Sequence, residues 1–171
     1  MAPETSSAAG FDPLVRFAGI ERLVGKIYFR FSHLFFDIPE LRDFWWQMAV
    51  EEEQHACILL AIKTVIESYP GHEIDPGISQ DKAAALEERL LTYLSKGTPS
   101  IAKEEAFRIA VEIESSEIDA IYNKLVHIGG PKLAKIMERF AVPCSAQLKK
   151  LRAAIKQFTQ ETELLARVES L

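Results

Sequence analysis

The sequence contains few cysteines and no long apolar run. Its two cysteines, Cys57 and Cys144, lie far apart and form no Cys-x-x-Cys pair. That spacing excludes a rubredoxin-type or zinc-ribbon module, and it does not suggest a secreted disulfide scaffold. No uninterrupted apolar run approaches the roughly 18 residues of a membrane-spanning helix, so we expect no membrane span.

An excess of positive charge is also missing. The net charge is −5, so no basic surface is expected to recruit nucleic acid or anionic lipid. Residues 1–11 are rich in alanine and serine and lack a basic start, which indicates a loose tail rather than a signal peptide. The 171 residues suffice for one domain with a sizeable core. We therefore expect a single-domain, cytoplasmic protein over residues 1–171.

Apolar residues recur every three or four positions along most of the chain, the spacing of amphipathic helices. Prolines and glycines, such as Pro70-Gly71 and Gly129-Gly130, mark the ends of these segments. The pattern predicts helices over residues 13–36, 39–69, 81–96 and 100–128, and from 131 almost to the C-terminus. Pro143 lies inside the last segment, so we expect a kink or break just before Cys144. The fold is predicted to be an all-α, up-down-up-down four-helix bundle, with residues 81–96 as an inserted helix.

The second long helix has acid and imidazole on its apolar face. That face consists of Leu41, Trp45, Met48, Glu52, His55, Leu59, Ile62 and Ile66. Glu51 and Glu53 are expected to point to either side of Glu52 and reach water. A charge facing a core needs a partner or a metal. Glu52 and His55 are one turn apart, so both side chains can bind one cation.

Two other helices each carry an acid on an apolar face. These acids are Glu21 in the first helix and Glu114 in the third, with Glu117 one turn further at the edge of the face. The chain also resembles a duplication, because Glu21 precedes Glu52 by nearly the distance that separates Glu114 from Cys144. Four clustered acids cannot all ionise without a cation. Oxygen-rich ligation with one nitrogen suits Fe, Mn or Zn.

These residues resemble the ferritin-like di-iron carboxylate proteins, which place Glu on helices 1 and 3 and Glu-x-x-His on helices 2 and 4. The segment from Pro39 to His55 is most similar to the rubrerythrin branch. The resemblance covers about residues 14–158, without the inserted helix. It implies two Fe ions, with Mn or Zn as substitutes, and the metal ligands Glu21, Glu52, His55, Glu114 and Glu117. The implied activity is reduction of peroxide or dioxygen, or oxidation of ferrous iron.

Helix 4 departs from that family pattern. Cys144 and Gln147 stand where the second Glu-x-x-His is expected, so the second metal should be bound more weakly. Ferritins proper also lack that motif and carry a glutamine there. Three alternatives stay open: a two-metal site, a one-metal site of Glu21, Glu52, His55 and Glu114, and a degenerate bundle with a structural or interaction role.

The expected partners follow from the same features. Without Cys-x-x-Cys pairs, an oxidoreductase of this kind would need a separate electron-donor protein. Ferritin-like bundles usually pair, and two tryptophans with a leucine-rich inserted helix provide apolar surface, so a homodimer or higher homo-oligomer is expected. Tyr28 lies on the same face as Glu21. It is expected to be a packed core residue, with a hydrogen bond to a metal ligand as the alternative.

Overall fold

A computed structural model describes residues 10–69, 77–96 and 100–170. Within these ranges the chain forms eight helices and no strand, which confirms the all-α prediction. The helices are α1 Pro13–Leu34, α2 Pro39–Glu67, α3 Gln80–Ser95, α4 Lys103–Glu114, α5 Ile118–Val126, α6 Pro131–Met137, α7 Cys144–Phe158 and α8 Thr162–Glu169. Most of the expected tail at 1–11 and of the expected loop at 72–80 lies outside the described residues. Among the described helices, none is long and apolar enough to cross a membrane.

The two long helices α1 and α2 form an antiparallel pair. Asp12 caps α1 by accepting from the backbone N–H of Leu14 at 2.9 Å, and its other oxygen lies 2.7 Å from Lys63 near the end of α2. Arg22 and Glu53 form an ion pair midway along the helices. A Cβ at Gly25 would lie 3.3 Å from the Ala49 carbonyl and 3.3 Å from the Glu52 Cβ. Glycine therefore permits the close approach of α1 and α2 beside Glu52.

An aromatic cluster joins this pair to α4. Trp45 is fully buried, and its ring centroid lies 5.0 Å from that of Phe31 and 5.1 Å from that of Phe107. Tyr28 stacks on Trp45 at 5.6 Å. Such rings bury large apolar areas, so the cluster fixes α4 against α1 and α2.

The predicted third helix is broken in two. It ends at Glu114 as α4 and begins again at Ile118 as α5. Ser116 Oγ accepts the backbone N–H of Ile118 at 3.3 Å, a local bond that competes with helix continuation. Ile118, Ile121 and Leu125 of the predicted apolar face are buried in α5, and Tyr122 is buried with them.

The predicted fourth helix is also interrupted, so the expectation of one continuous helix is wrong, although helical structure does continue to Glu169. It forms α6, α7 and α8, and residues 138–143 separate the first two. The expected break before Cys144 is confirmed, since Pro143 is the residue that precedes α7. The predicted helix at 81–96 is α3, which packs on α1 and forms an Arg16–Glu87 ion pair with it. Its Leu86 and Leu90 are buried.

Candidate metal centre

Three predicted ligands meet in the core between α1 and α2. Glu21, Glu52 and His55 are 2%, 3% and 1% exposed. Each offers one ligand atom, and these atoms all lie within 4.8 Å of one another. The prediction that the three side chains share one buried cluster is therefore confirmed, while metal binding itself stays a prediction. Their spacing is compact enough for one cation to be shared.

His55 is held in one orientation from both sides of its ring. Its Nδ1 lies 3.3 Å from Glu52 Oε2, and its Nε2 donates to the Val142 carbonyl at 2.8 Å. A carbonyl can only accept, so Nε2 carries a proton and Nδ1 is the nitrogen available to a metal. The Tyr122 ring packs against the imidazole at 4.4 Å. Burial acts to lower the pKa of His55, but the Glu52 carboxylate and the Val142 carbonyl outweigh it and the pKa is raised.

Of the three clustered side chains, Glu21 has the carboxylate that the surrounding protein satisfies least. Burial raises its pKa well above the ordinary value, and the neighbouring Glu52 raises it further. Its Oε1 is buried and has no hydrogen-bond partner among the described residues. Buried carboxylate oxygens are rarely left unpaired, and a cation would satisfy this one. Two carboxylates and an imidazole therefore fit Fe, Mn or Zn.

Glu114 lies beside the cluster at the last residue of α4. Its Oε1 accepts a hydrogen bond from Tyr28 at 2.6 Å, so Tyr28 is both the buried core residue that was expected and a hydrogen-bond donor to Glu114. Burial and the charges of Glu52 and Asp119 raise the pKa of Glu114 well above its usual range, and the Tyr28 hydroxyl partly opposes them. Glu114 is therefore a neighbour of the cluster whose carboxylate is already held by the protein.

Cys144 and Gln147, which stand on α7 where a second Glu-x-x-His was expected, both lie close to the acids. Gln147 is buried on α7 and donates from Nε2 to Glu52 Oε1, while its Oε1 lacks a partner in the described chain. Cys144 is buried, and burial together with the charge of Asp119 raises the pKa of its thiol. In the metal-free chain, α7 therefore presents the Gln147 amide to Glu52.

Glu117 is not brought into the cluster. It lies at the turn between α4 and α5, where its half-exposed carboxylate pairs with Lys82 at 2.6 Å. The break at residues 115–117 removes it from the inward face that a continuous helix would have given it. The ligand role expected for Glu117 therefore has no geometric support.

The acids that flank Glu52 differ from each other. Glu53 is exposed and bonds to Arg22, as expected for a residue that reaches water. Glu51 is only 5% exposed, and its Oε1 pairs with Lys150 on α7. The expectation that Glu51 faces water was wrong, because α7 covers that side of α2.

Asp119 is a site neighbour that the sequence patterns did not reveal. Burial and the charge of Glu52 raise its pKa to about 6, while His55 and a hydrogen bond with Cys144 act in the opposite direction. A signal for it existed: Ser116 to Asp119 reads Ser-x-x-Asp before an apolar run, the pattern of a helix start. A helix beginning there turns Asp119 toward Cys144.

Comparisons with protein-family models, curated proteins and solved structures found no match to this chain. The resemblance to ferritin-like proteins accordingly depends on the residues themselves.

Proposed function

We propose that this chain is a ferritin-like, rubrerythrin-related non-haem metal protein whose buried centre binds iron, with Mn or Zn as substitutes. Its activity would be reduction of peroxide or dioxygen, or oxidation of ferrous iron. One observation carries the proposal: Glu21, Glu52 and His55 converge within 4.8 Å in a buried core, and Glu21 Oε1 has no partner within the described chain.

Charge explains why a cation suits this place. Burial and the acids Glu52, Asp119 and Glu114 raise the pKa of Glu21, and burial with Glu52, Asp119 and Glu51 raises that of Glu114. Buried acids in this situation take up protons or bind a metal. In the metal-free chain, His55 Nδ1 lies 3.3 Å from Glu52 Oε2, so the two groups can share a proton. A cation bound there would replace that proton, so metal uptake should release protons.

The protein supplies orientation and shelter for this chemistry. An iron ion held by Glu21, Glu52 and His55 would supply the change between ferrous and ferric states. The Val142 carbonyl fixes the imidazole, and Gln147 fixes one oxygen of Glu52. Tyr28 holds Glu114 nearby, and Trp45 packs behind Tyr28. Electrons would come from a separate donor protein, because the chain has no Cys-x-x-Cys pair.

Self-association is part of the same proposal. Phe29 and Trp46 lie on the outer side of the α1–α2 pair, are each about half exposed, and pack against each other at 5.4 Å. Exposed aromatic pairs of this kind are suited to an interface between two copies of the chain.

Metal analysis of protein purified without chelator tests the function. We expect bound Fe, Mn or Zn, uptake of ferrous iron under anaerobic conditions, and a higher melting temperature with metal. The Glu52→Gln, His55→Ala variant should lose all three. Glu53→Gln is the matched control, since it removes an adjacent but exposed carboxylate. A wild-type chain that binds none of these metals would contradict the proposal.

A structural or interaction role is the second candidate. It is favoured by the hydrogen bonds that Gln147 and Tyr28 already give to Glu52 and Glu114. Under that function, added metal changes the melting temperature of neither the wild type nor the Glu52→Gln, His55→Ala variant.

A further inference from the structure

The surface around α6 combines positive charge with exposed apolar side chains. We define the α6 surface as five exposed residues of that helix and of the turn after it: Lys132, Lys135, Ile136, Arg139 and Phe140. Lys132, Lys135 and Ile136 are spaced by about one helical turn, so they share a face of α6. None of the three cations is paired with an acid among the described residues. Their charge is therefore available to a partner.

The chain concentrates positive charge here although its net charge is −5. Residues 131–150 contain five lysines or arginines and a single acid, Glu138, which lies 3.7 Å from His127. A locally positive surface attracts an acidic protein and speeds their encounter. A symmetric contact between two copies through this surface would instead place the same cations opposite one another, where they repel. The charge therefore favours a partner that is acidic and different from this chain.

The apolar part of the α6 surface borders a groove. Phe140 is 68% exposed and Ile136 is 52% exposed. Phe140 and Met137 line one side of a cavity of about 570 Å³, and α2 residues that include Val50 and Ile58 line the other. Apolar side chains with charged groups around them are typical of protein interfaces. A small patch of this kind suits the weak, transient complexes of electron-transfer proteins.

The α6 surface lies next to the proposed metal centre. The Val142 carbonyl accepts from His55 Nε2 at 2.8 Å, and Val142 is two residues after Phe140. Two residues of extended chain span at most about 7 Å. A protein that contacts Phe140 is therefore separated from the imidazole by a short piece of backbone and one hydrogen bond.

We infer that the α6 surface is the docking site of a small acidic electron-carrier protein. This inference rests on the proposed function, because a carrier is needed only if Glu21, Glu52 and His55 hold iron. In each transfer the carrier loses one electron and one ferric ion becomes ferrous, with no bond formed or broken. The cations attract the carrier, and Phe140 with the groove provides the apolar contact beside His55.

The test is the affinity of the metal-free chain for plant-type ferredoxin, a small acidic one-electron carrier, measured by isothermal titration calorimetry. The Lys132→Gln, Lys135→Gln, Arg139→Gln variant should bind about tenfold more weakly at low salt. The difference should vanish in about 1 M salt, where the Debye length is about 3 Å. The matched control makes the same total charge change at three exposed lysines of α1 and α7 and should bind nearly like wild type: Lys26→Gln, Lys149→Gln, Lys156→Gln.

Two further measurements separate attraction from contact and docking from delivery. Phe140→Ser removes an exposed ring, so it should weaken ferredoxin binding at low and at high salt alike. With the iron-loaded chain, stopped-flow absorbance should show slower oxidation of reduced ferredoxin for the triple α6 variant and for Phe140→Ser, at ferredoxin concentrations below saturation.

Each outcome decides the inference. Equal ferredoxin binding by wild type and the triple α6 variant, or tighter binding of the basic carrier cytochrome c, would overturn it. If the triple variant instead loses binding to phosphatidylserine vesicles, or changes its oligomeric state in sedimentation, while ferredoxin binding is unchanged, the occupant is a membrane or a second copy and the inference fails. A metal-binding chain that ignores ferredoxin overturns the inference alone. A chain that binds no metal overturns the proposed function and the inference with it.

Discussion

The two halves of this chain build the same centre in different ways. The first half consists of two long helices, α1 and α2, which bring Glu21, Glu52 and His55 together. The second half is divided into the shorter helices α4 to α8 and supplies Glu114, Asp119 and Gln147. Those side chains are engaged by Tyr28, Cys144 and Glu52 respectively. The unbroken half therefore supplies the three side chains whose ligand atoms converge, whereas Glu114 and Asp119 of the broken half are bonded to Tyr28 and Cys144.

The break before α7 positions groups that contact the centre. Val142 lies in the non-helical segment before α7, so its carbonyl is free to accept from His55. In a continuous fourth helix that carbonyl would be bonded to the backbone N–H four residues later. The same break sets the start of α7, which brings Gln147 onto Glu52 and Lys150 onto Glu51.

The largest effect is expected from Gly25→Val, which pushes the two helices of the first half apart. The added side chain meets the Ala49 backbone and the Glu52 Cβ, which cannot easily move. We expect a loss of about 2–3 kcal/mol in the free energy of unfolding and a roughly tenfold weaker Mn²⁺ affinity. Urea unfolding and metal titration measure these effects. Gly19→Val is the control, because nothing lies within 4 Å of a Cβ there, and it should change stability by less than about 0.5 kcal/mol. Equal effects at both glycines would contradict this account.

The first half is also the part that sequence reasoning described well. Predicted helices at 13–36 and 39–69 correspond to Pro13–Leu34 and Pro39–Glu67, because long periodic segments with proline in the first turn leave few alternatives. In the second half, the predicted third helix is interrupted at Ser115 and Ser116, although its apolar spacing continues past them. The break displaced Glu117 and turned Asp119 inward. The Glu51–Lys150 pair joins distant parts of the chain, so no local pattern could indicate it.

In the second half, Asp119→Asn should stabilise the metal-free protein. The pKa of Asp119 rises from 3.8 to about 6 on folding, so the folded chain binds the proton more tightly. The contribution of Asp119 to the free energy of unfolding is therefore fully present below pH 3.8 and is lost as the pH rises toward 6. We expect Asn to raise the free energy of unfolding by about 2 kcal/mol at pH 7 and to leave it unchanged near pH 3.5. Chelator-treated protein unfolded in urea across this pH range provides the measurement. If the free energies of unfolding of wild type and Asp119→Asn changed in parallel with pH, this prediction would be contradicted.

Tyr28→Phe tests the contact between the halves. It leaves Glu114 Oε1 without its donor, so the metal-free protein should lose about 1 kcal/mol of stability. Bound metal should reduce that loss, because Glu114 is then free to approach the ion. Thermal unfolding with and without Mn²⁺ gives both values. The comparison control is Tyr93→Phe, whose hydroxyl bonds to Glu112 away from the cluster, and its loss should not depend on metal. If metal does not reduce the Tyr28→Phe loss, Glu114 takes no part in binding.

The smallest effect is expected from Glu117→Gln. The resemblance to rubrerythrins made Glu117 a ligand, but its carboxylate is about half exposed and paired with Lys82. Loss of an exposed ion pair should change stability by less than about 0.5 kcal/mol and leave Mn²⁺ binding unchanged. Glu114→Gln, one turn earlier and buried, should weaken Mn²⁺ binding measurably. A Glu117 variant that loses metal would mean that the turn at residues 115–117 closes into a helix when metal binds. The second half would then be a ligand-bearing half as well.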